Sequence, residues 1–155
     1  MRQYSTVIAF VGFLLLCNPL LAQLRGKVVA IADGDTFTLL ISGNKQVKIR
    51  LHGIDCPEKK QAYGMVARQC LSDSIFGKTI EVKVFNKDRY GRSIGMVYTP
   101  KGTNMNESLL KAGLAWHFKK YDKNPNWAVL EDKARKAKRG LWADAHAIAP
   151  WEWRK

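Results

Sequence analysis

Four short clusters hold the side chains of this sequence that could do chemistry. Asp33-Gly34-Asp35-Thr36 is the first. Arg50 closes an alternating run, and Gly53-Ile54-Asp55-Cys56-Pro57-Glu58 follows it directly. Asp88-Arg89-Tyr90-Gly91-Arg92 is the last. Taken singly, each reads as local structure: Asp33-Gly34 and Tyr90-Gly91 make turns, and Asp55 and Pro57 end a strand. Taken together they supply one reaction. Two aspartates, Asp35 and Asp55, can hold a hard divalent cation through oxygen. Glu58 can take a proton from water. Arg50 and Arg92 are permanently charged planar forks suited to phosphate oxygens. Hydrolysis of a phosphodiester needs that set: a nucleophilic water, a base to orient it, and positive charge on the phosphoryl oxygens. No Cys or His cluster with zinc spacing competes, because His52, His117 and His146 stand isolated.

The elements that must position these residues are mostly short strands. Lys27 to Ala32 is apolar and β-branched, Asp33-Gly34 turns the chain, and Thr36 to Ile41 resumes as a strand. Val47, Ile49 and Leu51 alternate with Lys48, Arg50 and His52, which predicts a half-buried strand with Arg50 on its polar face. Thr79 to Phe85 and Ser93 to Tyr98 are the fourth and fifth strands. A first helix is expected from about Tyr63 to Phe76, with Tyr63, Val66, Ala67, Cys70, Leu71 and Ile75 as its apolar stripe. A second spans Met105 to Ala112, with Asn104 as N-cap and Glu107 three residues on. A third runs from near Asn126 to Gly140, with Trp127, Leu130, Ala134 and Ala137 inward and a heavily basic outer face. Five strands with a helix between the third and fourth predict an α+β, mainly β chain built on a small closed sheet of the OB type.

The composition fits a polyanionic partner. Lys and Arg number 26 against 13 Asp and Glu, for a net charge of +13. A chain of 155 residues allows one domain. Its first 22 residues read as a cleavable secretory leader: Arg2, the apolar run Val7 to Cys17, the break at Asn18-Pro19, and Leu20-Leu21-Ala22 before the cut. Residues 23–155 are then the single functional domain. Export would leave Cys56 and Cys70 in an oxidising compartment, where a disulfide between them is one open alternative and a buried thiol the other.

The order of the clusters resembles the staphylococcal nuclease family. The matching strings are DGDT, RLHGIDCPE, DRYGR and NESLLKAGLAWHFKKY, spread over about residues 26 to 142. The ending PWEWRK is similar to that of Gram-negative relatives, which implies a periplasmic or secreted enzyme. The resemblance implies an OB-type barrel with three helices and calcium-dependent cleavage of DNA and RNA that leaves 3′-phosphates. Carried over by position, Asp35 and Asp55 match the calcium carboxylates, and Cys56 matches the residue that offers its main-chain carbonyl. Glu58 matches the general base, and Arg50 and Arg92 match the phosphate-clamping arginines. Arg89 and Tyr90 would lie near the nucleotide, and Tyr121 would stack on a base. The segment from Glu58 to Tyr63 is short against the long loop of the staphylococcal enzyme, which should alter substrate access. Trp116 to Lys120 departs from that enzyme's tyrosine-bearing stretch, which bears on base preference. Backbone contacts imply little sequence specificity, with single strands preferred. A monomer with no stable membrane association is expected after cleavage. The alternatives are a non-catalytic OB-type module that binds nucleic acid and a basic surface protein anchored to anionic lipid.

Overall fold

The computed structural model describes residues 22–155. The expected leader and Cys17 lie outside the described residues, except that Ala22 opens the first strand. The chain runs β1 (Ala22–Ile31), β2 (Thr36–Ile41), β3 (Lys45–Leu51), β4 (Ile54–Asp55), α1 (Gly64–Ile75), β5 (Thr79–Lys87), β6 (Ser93–Tyr98), α2 (Met105–Lys111), β7 (Trp116–His117), α3 (Pro125–Lys136) and α4 (Pro150–Trp153).

Five strands close into a barrel in the order β1-β2-β3-β6-β5. Closure follows from two features of the chain. The first is the length of β1: its early half pairs with β5 (Ala22 opposite Val84) and its later half with β2 (Ile31 opposite Phe37), around an irregularity between Val28 and Ala30. A bulge bends a strand and raises its twist, so one strand can serve two neighbours. The second is a short parallel seam, in which Ile49, Arg50 and Leu51 of β3 lie against Ser93, Ile94 and Gly95 of β6. The alternation expected for β5 holds, with Ile80, Val82 and Val84 inside, and Ile49 and Leu51 of β3 join them. Closure pairs each barrel strand on both sides, so among the described residues the barrel itself presents no free edge.

Helix α1 packs on β1 and α2, and α2 packs on β6 and α3. Asn104 caps α2 as expected, its side chain accepting from the amides of Asn106 and Glu107. Asn106 is fully buried and accepts from the Val97 amide while donating to the carbonyl of His52, so it ties α2 to β6 and to the end of β3. Two helical expectations change. Val66 of α1 is 51% exposed, because the inner stripe is the narrower Ala67, Leu71 and Ile75. Helix α3 stops at Lys136 and not at Gly140, since Lys138 turns left-handed at φ 49° and the Arg139 amide closes back onto Ala134. Its inner face is Trp127, Glu131 and Ala134, with Ala137 exposed. Buried Glu131 is admissible because Arg135, Lys119 and the His117 amide all reach its carboxylate.

A second, two-stranded sheet pairs β4 with β7, placing Ile54 opposite His117 and Asp55 opposite Trp116. The chain reaches β4 through a left-handed Gly53 (φ 66°), where a Cβ would lie 2.7 Å from Cβ of Asp122 and 2.8 Å from the Trp127 ring. Asp122 anchors this corner. Its Oδ1 contacts Nε2 of His117 at 2.8 Å and its Oδ2 contacts Nε2 of His52 at 3.3 Å, while the Asn124 amide donates to Oδ1. Burial pushes the Asp122 carboxyl up, but the Asn124 amide and the two imidazoles outweigh it and hold the group below the usual carboxylate range. A depressed native pKa stabilises the fold above the unfolded value of about 4 and loses that contribution as pH falls through the native value. Asp122→Ala should therefore lower stability by about 1–3 kcal/mol at pH 7. The difference from wild type should shrink under acid; urea melts between neutral pH and pH 3 measure it, and a gap that widens toward low pH would refute the assignment.

Candidate active site

Register places the first two chemical clusters side by side. Thr36 of β2 pairs with Arg50 of β3, so Asp35, the residue before Thr36, arrives beside the arginine, and its carbonyl accepts the Leu51 amide at 2.9 Å. Gly34 makes that approach feasible: a Cβ there would stand 2.7 Å from Cβ of Ala67 and 2.8 Å from Cβ of Cys56. The β4–β7 pairing then brings Asp55 to the same rim.

Arg50 is the hub. Its Nη1 donates to Asp35 Oδ1 at 3.2 Å and its Nη2 to Asp55 Oδ1 at 2.7 Å. Both carboxylates are nearly inaccessible, 2% exposed for Asp35 and 1% for Asp55. Asp35 also accepts the Thr36 hydroxyl at 2.9 Å and the Cys56 amide at 3.0 Å. Burial raises the Asp35 pKa, with Asp33 adding to the effect and Arg50 and the Cys56 amide opposing it. Burial works against the Arg50 charge, but Asp35 and Asp55 outweigh it, so the guanidinium holds its proton more firmly than free arginine.

Glu58 begins the short loop after β4. Its amide donates to Gln61 Oε1 at 3.1 Å, and the Gln61 side chain in turn bonds the carbonyl of Ile148. The loop is thus pinned to the C-terminal segment. That segment contributes a residue absent from the sequence-based set: Arg154, whose Nη2 meets Asp55 Oδ2 at 2.6 Å and whose Nη1 meets Glu58 Oε1 at 2.6 Å. The paired tryptophans of the tail are the only sequence signal for it, since they announce a segment built to dock. Asp33, Glu58, Lys59, Lys60, Trp153 and Arg154 wall an open cleft of about 460 Å³ against this cluster.

The remaining expected residues stand apart from the cluster. Arg92 immediately precedes β6, whose Ser93 and Ile94 lie opposite Ile49 and Arg50 of β3. Its Nε donates to Asp88 Oδ2 at 2.7 Å and its guanidinium lies 5.4 Å from the Tyr90 ring centre. Among the described residues its two Nη nitrogens bond no acceptor, which leaves that edge of the fork available. Burial alone would raise the Asp88 pKa, but hydrogen bonds from Arg92 and the Tyr90 amide take it below its ordinary value. Arg89 and Tyr90 are exposed on the same turn. Tyr121 is 64% exposed and meets Phe118 edge-on at 4.8 Å. Cys56 and Cys70 are both free thiols. Burial first, then the surrounding aspartates, pushes the Cys56 thiol well above its ordinary pKa, which favours the neutral thiol. On the basic helix α3, Arg135 is taken up internally, 3.5 Å from the Trp142 ring and bonded to Glu131.

The donor set fits a hard divalent cation. Asp35, Asp55 and Glu58 carry three formal negative charges against two positive ones on Arg50 and Arg154, and their donor atoms are all oxygen. Among the described residues no three His, Cys, Asp or Glu side chains converge on one point. An ion here would therefore lean on two carboxylates, with main-chain, solvent or substrate oxygens completing its shell.

The site is thus a closed five-stranded barrel whose rim carries two buried aspartates locked to one arginine. Comparison with known proteins identifies the family. The family model described as "Staphylococcal nuclease homologue" matches residues 48–144. An uncharacterized endonuclease of Escherichia coli O157:H7 is 43% identical, covering 99% of this chain and 98% of its own. A micrococcal nuclease of Shigella flexneri is 37% identical, with 96% and 90% covered, and the protein ParB of Escherichia coli is 38% identical, with 99% and 93% covered. The chain belongs to the staphylococcal nuclease family and is a hydrolase of the nuclease type.

Proposed function

We propose that this protein is an exported, calcium-dependent endonuclease that cuts DNA and RNA with little sequence preference and leaves 3′-phosphate ends. The observation that carries the reading is the convergence of Asp35, Arg50 and Asp55, and of Glu58 through Arg154, from four separate stretches of chain into one hydrogen-bonded cluster at the barrel rim. Asp35 and Asp55, with the Cys56 main chain, would hold the ion, which when bound supplies charge neutralisation and polarisation at phosphorus. Arg50 and Arg92 donate to the phosphoryl oxygens, and their bonds strengthen as negative charge gathers in the transition state. Glu58 orients a water and takes its proton for in-line attack on phosphorus, with the bond to the 5′ oxygen breaking. Exposed Tyr90, with Arg89 beside it, and exposed Tyr121 offer faces on which unpaired bases stack, so single strands are the favoured substrates. None of these groups reads a base edge, which accounts for broad specificity and for acceptance of a 2′-hydroxyl.

Export rests on the leader-like pattern of the first 22 residues, whose removal leaves residues 23–155 with a net charge of +12, since Arg2 is the one charge lost from +13. No helix among the described residues is long and apolar enough to cross a membrane. Action as a monomer fits a barrel without free edges. The decisive experiment is digestion of single-stranded DNA and of RNA by the purified protein over a panel of divalent ions and in chelator. Robust cleavage with calcium and none in chelator is expected, with 3′-phosphate ends on the products. Equal cleavage in chelator would sink the reading.

A further inference from the structure

The C-terminal tail is docked, and what it docks is a charge. Trp151 of α4 stacks on Phe118 at 4.8 Å with an interplanar angle of 9°, and meets Trp116 edge-on at 5.6 Å. Trp116 belongs to β7, the strand that pairs with Asp55. This aromatic anchor fixes α4 beside the site and delivers Arg154, three residues on, onto two carboxylates. Its Nη2 bonds Asp55 Oδ2 at 2.6 Å, its Nη1 bonds Glu58 Oε1 at 2.6 Å, and the same Nη1 lies 3.4 Å from Asp55 Oδ1. Arg50 already holds Asp55 Oδ1 at 2.7 Å. Both oxygens of a carboxylate that is only 1% exposed are therefore covered by guanidinium groups.

We propose that Arg154 is an internal competitor for the divalent cation, a self-supplied positive group that must leave Asp55 before that carboxylate can coordinate an ion. The inference rests on the metal reading of the site given above. A hard cation bonds carboxylate oxygen at about 2.3–2.6 Å. A guanidinium nitrogen at 2.6 Å from Asp55 Oδ2 occupies the same approach and repels the incoming charge. Asp35, Asp55 and Glu58 with both arginines sum to a formal charge of −1, and without Arg154 to −2, the charge that a divalent ion balances. The two arginines differ in what release costs. Arg50 is 18% exposed and wedged between two aspartates, whereas Arg154 is 41% exposed at the chain end and can turn to solvent. Its departure also frees Glu58, so ion uptake and availability of the base become one event. Arg154 thus sets how much divalent ion the enzyme requires.

Calorimetric titration of calcium into the purified protein, without nucleic acid, tests this. Arg154→Ala and Arg154→Gln should bind calcium roughly three- to tenfold more tightly than wild type, the worth of a half-exposed charged hydrogen bond. Arg154→Lys, which keeps the charge and loses the fork, should fall between. Cleavage by the Ala and Gln variants should reach half its maximum at correspondingly lower calcium. Asp55→Asn, expected to abolish the binding heat, locates the ion, and thermal melts confirm that each variant is folded. Unchanged or weaker calcium affinity in folded Arg154→Ala and Arg154→Gln would overturn the proposal, as would lower activity at saturating calcium with affinity unmoved, which would make Arg154 a substrate clamp. If wild type itself binds no calcium and cuts DNA in chelator, the metal reading falls first and this inference with it.

Discussion

Glu58→Gln should lower the rate of single-turnover DNA cleavage by roughly 10²- to 10⁴-fold, the usual contribution of a positioned general base. The side chain suits a clean test. It is 37% exposed, and its one ionic partner, Arg154, is 41% exposed, so the pair contributes little to stability. Glutamine preserves shape and the acceptor oxygen that can still take the Arg154 bond. It removes only the basic carboxylate. Melting temperature and affinity for a single-stranded oligonucleotide should therefore stay near wild type while the chemical step slows. A variant that cuts within a few-fold of wild type would remove Glu58 from the mechanism and leave the cluster as a binding site only.

The two arginines should separate rate from stability. Arg92→Ala is expected to cut the rate by roughly 10²- to 10³-fold, as deletion of a transition-state donor does. Its stability effect should be about 0–1 kcal/mol, because Asp88 is half-buried at a surface turn and can be solvated once alone. Arg50→Ala should lose activity to a similar degree and also destabilise the protein by about 3–5 kcal/mol, since it strands buried Asp35 without its counter-charge and leaves Asp55 to Arg154 alone. Arg92→Lys should remain impaired, because lysine keeps the charge but not the bidentate fork. Urea melts and initial rates on the same preparations decide the matter. Full activity in Arg92→Ala, or an Arg50→Ala melt that coincides with wild type, contradicts the roles given to each.

Much of this was legible in the linear chain. Strands Thr36–Ile41 and Ser93–Tyr98 have the bounds expected of them, although the inner face of the second is Ser93, Gly95 and Val97 and not the larger Ile94, Met96 and Tyr98. The Asn104 cap, the inward positions of β5 and the five-stranded closure follow from local rules. The stretches holding Asp35, Arg50 and Asp55, singled out together in the sequence, meet in the fold at Arg50. What those rules could not reach is the identity of the partner. Asp55 is set by pairing between β4 and β7, two residues each and too short to carry a period. Arg92 is held by Asp88 instead of joining Arg50, a choice made between neighbours of equal charge by the turn that holds them. Glu131 is buried inside a helix whose pattern called for an apolar residue, because three donors from elsewhere meet it. Arg154 comes back to Asp55 across 99 positions of sequence. Local periodicity specifies burial over a few residues; the counter-ion of a buried charge is specified only when barrel closure and docking of the tail bring remote segments within hydrogen-bond reach.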